Sequence, residues 1–237
     1  MALYSFKWKT LQTGQHYRLD SVEHVLPPNS DRRKRHFRVL RDSVSADLKY
    51  VVASIKASAQ FPWWLSGGSL LGYHRHQGFI PWDDDVDIHA LASERDISRL
   101  AQTLKKENVF VYKYICPRCL FYKAVRGKRF FVYPSVDIFL FDEPVRGKGL
   151  LRSDGLNGFT YETDMPYLKA ELFPLNYVSF ENLIGVPVPR NSEALLTAQY
   201  GDKWRSSYAP QMGHLLRGIR DQIFSRYTRI KILPMFE

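Results

Sequence analysis

Residues 64–89 read WLSGGSLLGYHRHQGFIPWDDDVDIH, and this stretch decides the fold. Trp63-Trp64-Leu65-Ser66 reads as a strand, Gly67-Gly68 as a tight turn, and Ser69 to His76 as a short helix ended by Gly78. After Phe79-Ile80-Pro81-Trp82, the segment from Asp85 to Ala90 reads as a second strand, with Val86 and Ile88 alternating with acids. A strand places side chains i and i+2 on one face, so Asp85 and Asp87 point the same way. Asp83 joins them if the strand starts early, whereas Asp84 faces the other side. Clustered carboxylates repel unless a cation sits among their oxygens. Mg²⁺ suits such a set, taking one or two carboxylates and leaving its other positions to phosphate oxygens and water; Mn²⁺ is the alternative. The glycine pair supplies a second half-site. Gly67, Gly68 and Ser69 follow a strand and open a helix, where backbone N–H groups and the positive helix end meet a phosphate.

Outward from this stretch the chain reads as α+β. Phe37, Leu40, Val44, Leu48, Val51 and Ile55 recur at helical steps, which predicts one long helix from Ser30 to Gln60, ended by Phe61-Pro62. Ser93 is an N-cap for a helix carrying Ile97, Leu100, Ala101 and Leu104. Strands are predicted at Phe110–Ile115, Leu120–Arg126 and Phe130–Phe141, with Gly127-Lys128 as the hairpin turn between the last two. Residues 142–177 are rich in turn formers and yield no clear pattern. A strand over Leu183–Val188, a helix from Ser192 to Tyr200 closed by Gly201, and a weaker helical pattern over 211–231 complete the reading. No internal repeat or interdomain linker appears. One domain over 1–237 is expected, with residues 1–60 as a helical N-terminal extension and 206–237 as a C-terminal helix.

The bulk properties narrow the function classes. Of 237 residues, 45% are hydrophobic and 24% charged, which argues against disorder. Apolar runs are far shorter than the roughly 20 residues that span a bilayer, so no transmembrane segment is expected. The N-terminus has no apolar stretch of signal-peptide length, so a cytoplasmic location is expected, a lumenal secretory-pathway domain lacking its anchor being the alternative. The net charge of +10 is uneven: +6 over residues 1–60, −1 over 61–202 and +5 over 203–237. Arg32-Arg33-Lys34-Arg35 reads first as a solvated face and second as a contact for an anionic surface. Nucleic-acid binding would need aromatic residues interleaved with the basic run, and Asp31 to Arg41 offers only Phe37. Cys116 and Cys119 lack the second pair that a four-ligand zinc site needs; they read as two ordinary thiols, with a redox pair or shared metal site as alternatives.

The central stretch resembles the signature of the LicD / fukutin-related family, close to G-T-L-L-G-x-x-R-x-x-G-F-I-P-W-D-D-D-x-D. Gly68-Ser69-Leu70-Leu71-Gly72 matches with Ser in place of Thr, and Arg75, Gly78 through Asp85, and Asp87 match position by position. The family's third acid corresponds to Asp137, within Ser135-Val136-Asp137-Ile138-Phe139, and Tyr200-Gly201-Asp202-Lys203-Trp204 is similar to its C-terminal Tyr-Gly-x-x-Trp. The likeness covers about residues 62–205. It implies a nucleotidyltransferase-like mixed sheet flanked by helices. It also implies transfer of a phosphorylated alcohol, of the phosphocholine or ribitol-phosphate type, from a CDP-linked donor to a glycan or glycolipid hydroxyl. Nucleotidyl transfer to a small or polymeric acceptor is the alternative. On this resemblance Asp85 and Asp87 become metal ligands, and Gly67, Gly68 and Ser69 the phosphate cradle. Asp137 either accepts the acceptor's proton or completes the metal site. Arg75 and His76 neutralise charge on the transferred phosphate, a structural role for His76 being equally compatible. Trp204 plugs the core or contacts the nucleotide.

Overall fold

The computed structural model describes residues 9–12, 16–19, 22–25, 36–39, 42–116, 119–128, 133–142, 150–153, 167–206 and 231–236. Four short strands come first: β1 (Lys9–Gln12), β2 (His16–Leu19), β3 (Val22–Val25) and β4 (His36–Val39). β1 pairs antiparallel with β4, and β2 with β3. The central unit follows as helix α1 (Asp42–Ser58), strand β5 (Trp63–Leu65), helix α2 (Gly67–His76), strand β6 (Asp85–Leu91) and helix α3 (Glu94–Lys106). Strands β7 (Val109–Cys116), β8 (Cys119–Arg126), β9 (Ser135–Asp142), β10 (Leu150–Ser153) and β11 (Tyr167–Leu168) come next. Helix α4 (Lys169–Leu172), the hairpin β12 (Asn176–Phe180) and β13 (Leu183–Val188), helix α5 (Ser192–Tyr200), a 3₁₀ turn (Asp202–Arg205) and β14 (Lys231–Pro234) complete the described elements.

The main sheet has eight strands. It runs β11-β10-β9-β8-β7-β14, and β6, with β5 beyond it, pairs along the other edge of β9. β6 and β9 are parallel, with Asp87 opposite Asp137; every other described strand pairing is antiparallel. This is the mixed sheet flanked by helices that the family resemblance implies.

Alternation along the strands sorts side chains onto two faces. On one face Val86, Ile88 and Ala90 of β6, Val136, Ile138 and Leu140 of β9, and Tyr122 and Ala124 of β8 are buried in one core. Leu48, Val51, Val52 and Ile55 of α1 and Ile97, Leu100, Ala101 and Leu104 of α3 belong to the same core. The helical spacing of these residues is the reason both helices lie against the sheet. α3 starts with the expected cap: Ser93 Oγ accepts from the Asp96 N–H, and the Asp96 carboxylate accepts from the Ser93 N–H at 3.0 Å. On the opposite face, β6 presents Asp85, Asp87, His89 and Leu91, while β9 presents Ser135, Asp137, Phe139 and Phe141. The later of these positions join Trp64, Leu172 and Leu195 in a second apolar cluster. The earlier ones carry the acids. One sheet face thus has a greasy half and a charged half.

Several elements differ from expectation. The helix predicted from Ser30 starts only at Asp42, and 36–39 is a strand. His-Phe-Arg-Val also alternates with period two, and pairing with β1 settles it as a strand. The described residues before Asp42 are thus short strands, where a helical extension over 1–60 was expected. Residues 32–35 lie outside the described residues, as does 207–230, which holds most of the predicted C-terminal helix. Within that terminal region Lys231–Pro234 is a strand at the edge of the main sheet, where Pro234 needs no ladder donor. β9 starts at Ser135, later than the strand expected from Phe130, and residues 129–132, which include the start of that expected strand, lie outside the described residues. Cys116 and Cys119 face each other in register at the end of the β7–β8 hairpin; their side chains fall outside the described residues. The turn-rich region 142–177 holds β10, β11 and α4, none of them predicted, and leads into another unpredicted strand, β12, joined to β13 by Glu181 and Asn182, both left-handed at φ 48° and 62°.

Candidate active site

The glycine pair is not a turn before a helix but the first turn of the helix itself. Ser66 occupies the N-cap position and Gly67 takes φ +49°, a backbone that side chains disfavour. Gly68 is required for a different reason. A Cβ there would lie 2.8 Å from Asp83 Oδ2 and 3.9 Å from Asp87 Oδ2. The acids therefore press against the bare backbone of the helix start, whose positive end favours negative charge. Ser69 is buried, and its hydroxyl oxygen accepts from the Asp87 backbone N–H at 2.8 Å. The Ser66 N–H in turn donates to the Asp87 carbonyl at 3.1 Å. Two hydrogen bonds thus fix the start of α2 to the strand that carries the acids.

Asp85, Asp87 and Asp137 each bring a carboxylate oxygen to within 4.8 Å of the others. An octahedral Mg²⁺ holds its ligands at about 2.0–2.1 Å, so its oxygens are about 2.9 Å apart when adjacent and about 4.2 Å apart when opposite. Three carboxylates that converge within 4.8 Å are of the right kind and within reach of such an ion, which would draw them closer. Parallel pairing of β6 with β9 produces this convergence, since Asp87 stands directly opposite Asp137 and Asp85 lies two residues before it on the same face. Asp83 and Asp84 form a second group with Asp85. Both precede the strand, so strand alternation does not govern them; Asp84, expected on the opposite side, is fully buried beside Asp85. Burial, and then the charges of Asp85 and Asp87, hold the Asp83 carboxyl well above the ordinary carboxylate range.

The sequence reading missed Lys123. It stands directly opposite Asp137 on β8 and is 1% exposed. Its Nζ lies 2.5 Å from Asp137 Oδ2, 3.1 Å from the Tyr133 hydroxyl and 3.3 Å from Ser135 Oγ. Ser135 Oγ donates to Asp137 Oδ1 at 2.7 Å. Burial alone would drive the lysine toward its neutral form, but Asp137, Tyr133 and Asp85 outweigh it and raise its proton affinity above the ordinary lysine value. Tyr133 is raised as well, chiefly by burial. The signal was present in the sequence: Lys123 is a lone charge at an inward position of the apolar run Leu120 to Val125.

Arg75 and His76 sit in the last turn of α2, at the end opposite Gly67, Gly68 and Ser69. Arg75 donates through Nη2 to the Trp204 carbonyl, and the His76 ring meets Trp82 edge-on at 6.2 Å. Trp204 is buried in the main core, with Nε1 donating to Thr197 Oγ1 at 3.0 Å. His74 lies 2.8 Å from Ser192 Oγ. These contacts tie α2 to α5. A second missed residue, Glu181, is fully buried at the tip of the β12–β13 hairpin, and its Oε1 accepts from the Phe79 N–H at 2.9 Å. It braces the segment that leads into the acids. No sequence pattern marks it.

A mixed sheet with three convergent carboxylates beside a glycine-opened helix defines a nucleotidyltransferase-type domain. Residues 60–191 match the family described as LicD/FKTN/FKRP, nucleotidyltransferase domain, and the chain belongs to this family. It is 32% identical over 166 residues to an uncharacterized protein of Rickettsia typhi, covering 65% of this chain and 45% of that one. It is 49% identical over 51 residues to human ribitol 5-phosphate transferase FKRP, 22% of this chain and 9% of that one. It is 64% identical over 25 residues to lipopolysaccharide cholinephosphotransferase LicD of Haemophilus influenzae, 10% of this chain and 9% of that one. The chain spans about half the length of the two rickettsial relatives it matches. The relatives with named activities are transferases of phosphorylated alcohols. Among the described residues no helix is long and apolar enough to cross a membrane.

Proposed function

We propose that this protein transfers a phosphorylated alcohol from a CDP-linked donor to a glycan hydroxyl, with a divalent cation, Mg²⁺ or Mn²⁺, held by Asp85, Asp87 and Asp137. The observation that carries the proposal is the convergence of these three carboxylates against the bare backbone of Gly68. The printed activities of the two named relatives, ribitol-phosphate and cholinephosphate transfer, support the substrate class.

In the reaction the acceptor hydroxyl oxygen bonds to the phosphorus that carries the alcohol. The bond from that phosphorus to the bridging oxygen breaks, CMP leaves with that oxygen and the electron pair, and the hydroxyl proton passes to solvent water. The cation, when bound, withdraws charge from the phosphate oxygens. The chain's own groups do the rest. The α2 N-terminus supplies backbone donors for an anionic oxygen, and the Ser69–Asp87 hydrogen bond keeps that cradle in register with the acids. Asp137 is assigned to holding the cation rather than to taking the proton. Its Oδ2 already binds the Lys123 ammonium and its Oδ1 the Ser135 hydroxyl.

The test is incubation with a panel of CDP-alcohols and glycan acceptors, followed by mass spectrometry. CMP release with a gain of phospho-alcohol on the acceptor is the expected result. Pyrophosphate release from a nucleoside triphosphate would establish the nucleotidyl-transfer alternative instead. Asp85→Asn or excess chelator should abolish turnover, and full activity under either condition removes the metal assignment.

A further inference from the structure

Cys116 and Cys119 are the only cysteines of the chain, and they end the β7–β8 hairpin as a directly facing pair. Directly opposite residues of an antiparallel pair have Cα atoms about 4.5 or 5.5 Å apart, according to whether they exchange backbone hydrogen bonds. Both values fall inside the span of about 4.4–6.8 Å that a disulfide bridges. The register thus sets the two residues at a spacing that a crosslink can join without shifting the strands. Neighbouring ladders stop short of this rung: β9 pairs with β8 over Tyr122 to Ala124, and β14 with β7 over Tyr112 to Ile115. Turn chemistry adds little hold on the tip. The loop sequence is Pro117-Arg118, without the Gly, Asn or Asp that two-residue hairpins use for positive φ. A proline ring fixes φ near about −65° and excludes such a turn at its first position. By alternation Cys119 shares the sheet face of Phe121 and Lys123, so this rung ends the strand that sets Lys123 opposite Asp137.

We propose that Cys116 and Cys119 form a reversible disulfide across the tip of the β7–β8 hairpin, which makes this rung a thiol-modification site apart from the acidic centre. The oxidant is a low-molecular-weight disulfide of the glutathione class. One cysteine thiolate attacks a sulfur of that disulfide; its S–S bond breaks, and one glutathione leaves as thiolate with the electron pair. The second cysteine thiolate then attacks the protein sulfur of the mixed disulfide, and the second glutathione leaves in the same way. The two thiol protons of the protein end on the departing glutathiones. Two protein thiols are thereby oxidised and one small disulfide is reduced to two thiols. Only two residues separate the cysteines, so the second step is intramolecular and outruns capture of another glutathione. A four-thiolate metal site is beyond one chain with two cysteines.

The full chain is equilibrated in glutathione buffers from reducing to oxidising, alkylated without prior reduction and weighed intact. In reducing buffer both thiols should take the alkylating label. In oxidising buffer the wild-type protein should lose both labels, keep the covalent mass of one chain, and weigh two hydrogens less than the reduced chain. Trypsin cuts after Arg118, so the crosslinked protein should yield the two flanking peptides joined, and dithiothreitol should part them. Cys116→Ser and Cys119→Ser cannot close the ring, and each should gather one glutathione on its remaining cysteine. Wild type that keeps two labelled thiols through the most oxidising buffer, or carries glutathione on both, overturns the proposal. A crosslink found only between two chains does the same. Zinc held by the reduced protein at one ion per two chains, with no disulfide in oxidising buffer, assigns the pair to metal instead and also overturns it. If the single variants do not fold, the wild-type mass and the joined peptides decide the matter alone.

Discussion

Gly68 and Asp83 approach so closely that a methyl group on Gly68 would stand 2.8 Å from Asp83 Oδ2. The obstacle is the tip of a side chain, which can swing away, so Gly68→Ala should fold. It should do so with a displaced carboxylate, and divalent-ion affinity should fall about tenfold, as when a group supporting a metal ligand is disturbed. Gly72→Ala makes the contrast. There the new methyl meets the Gly78 backbone oxygen at 2.5 Å, which cannot swing, and about 1–3 kcal/mol of stability should be lost to overpacking. Calorimetric Mn²⁺ titration and urea unfolding on both variants test the pair; superimposable metal titrations for Gly68→Ala and wild type count against the close approach.

Glu181 and Gly78 should behave as a coupled pair. A Cβ on Gly78 would fall 1.9 Å from Glu181 Oε1, and the same oxygen holds the Phe79 N–H. Glu181→Ala leaves that buried donor without its acceptor, at a cost of about 1–3 kcal/mol. Gly78→Ala is expected to cost more alone than in the Glu181→Ala background, where the methyl has room. The expected coupling in a double-mutant cycle is at least about 0.5 kcal/mol. Additive losses would show that the two residues do not compete for space.

His74 gives a pH dependence whose sign follows from its surroundings. Burial lowers its proton affinity below the ordinary value of 6.5; Glu193 opposes this shift and Arg205 adds to it. The folded protein therefore binds the proton less readily than the unfolded chain, and the contribution of His74 to stability is present above 6.5 and lost as the pH falls through the lower folded value. Thermal unfolding between pH 7 and 5 should show this loss, and His74→Gln should flatten it. An equally steep acid limb in the variant would assign the dependence to other groups.

The acid strand, the helix after the glycines and the capped α3 were legible because each rests on local chemistry. Asp85 and Asp87 declare their shared face by spacing alone, and Ser93 and Asp96 form their cap within one turn. What stayed hidden depends on partners distant in the chain. The period of His36 to Val39 is compatible with helix and strand, and β1 decides between them. Glu181 has no local reason to be buried; its partner Phe79 lies far back in the sequence. Lys123 stands between these cases. Its place in an apolar strand was visible, but its meaning was not, because the register that sets it opposite Asp137 is a property of the sheet. The glycines show the reverse limit. Their importance was evident, yet Gly68 turned out to be needed for its nearness to Asp83 and Asp87.

Among the described strands the parallel pairing of β6 with β9 is the sole one of its kind, and the third carboxylate lies across it. Between the two strands the chain must first make α3, β7 and β8. A chain that has emerged only as far as Asp87 therefore owns two acids and no third, and closure over such a separation comes late in folding. On the proposed reading, a divalent ion could meet all three acids only once this sheet is built. Capture of that cation would then serve as a certificate of completed topology, withheld from truncated or misregistered chains even when their glycines and first acids are intact.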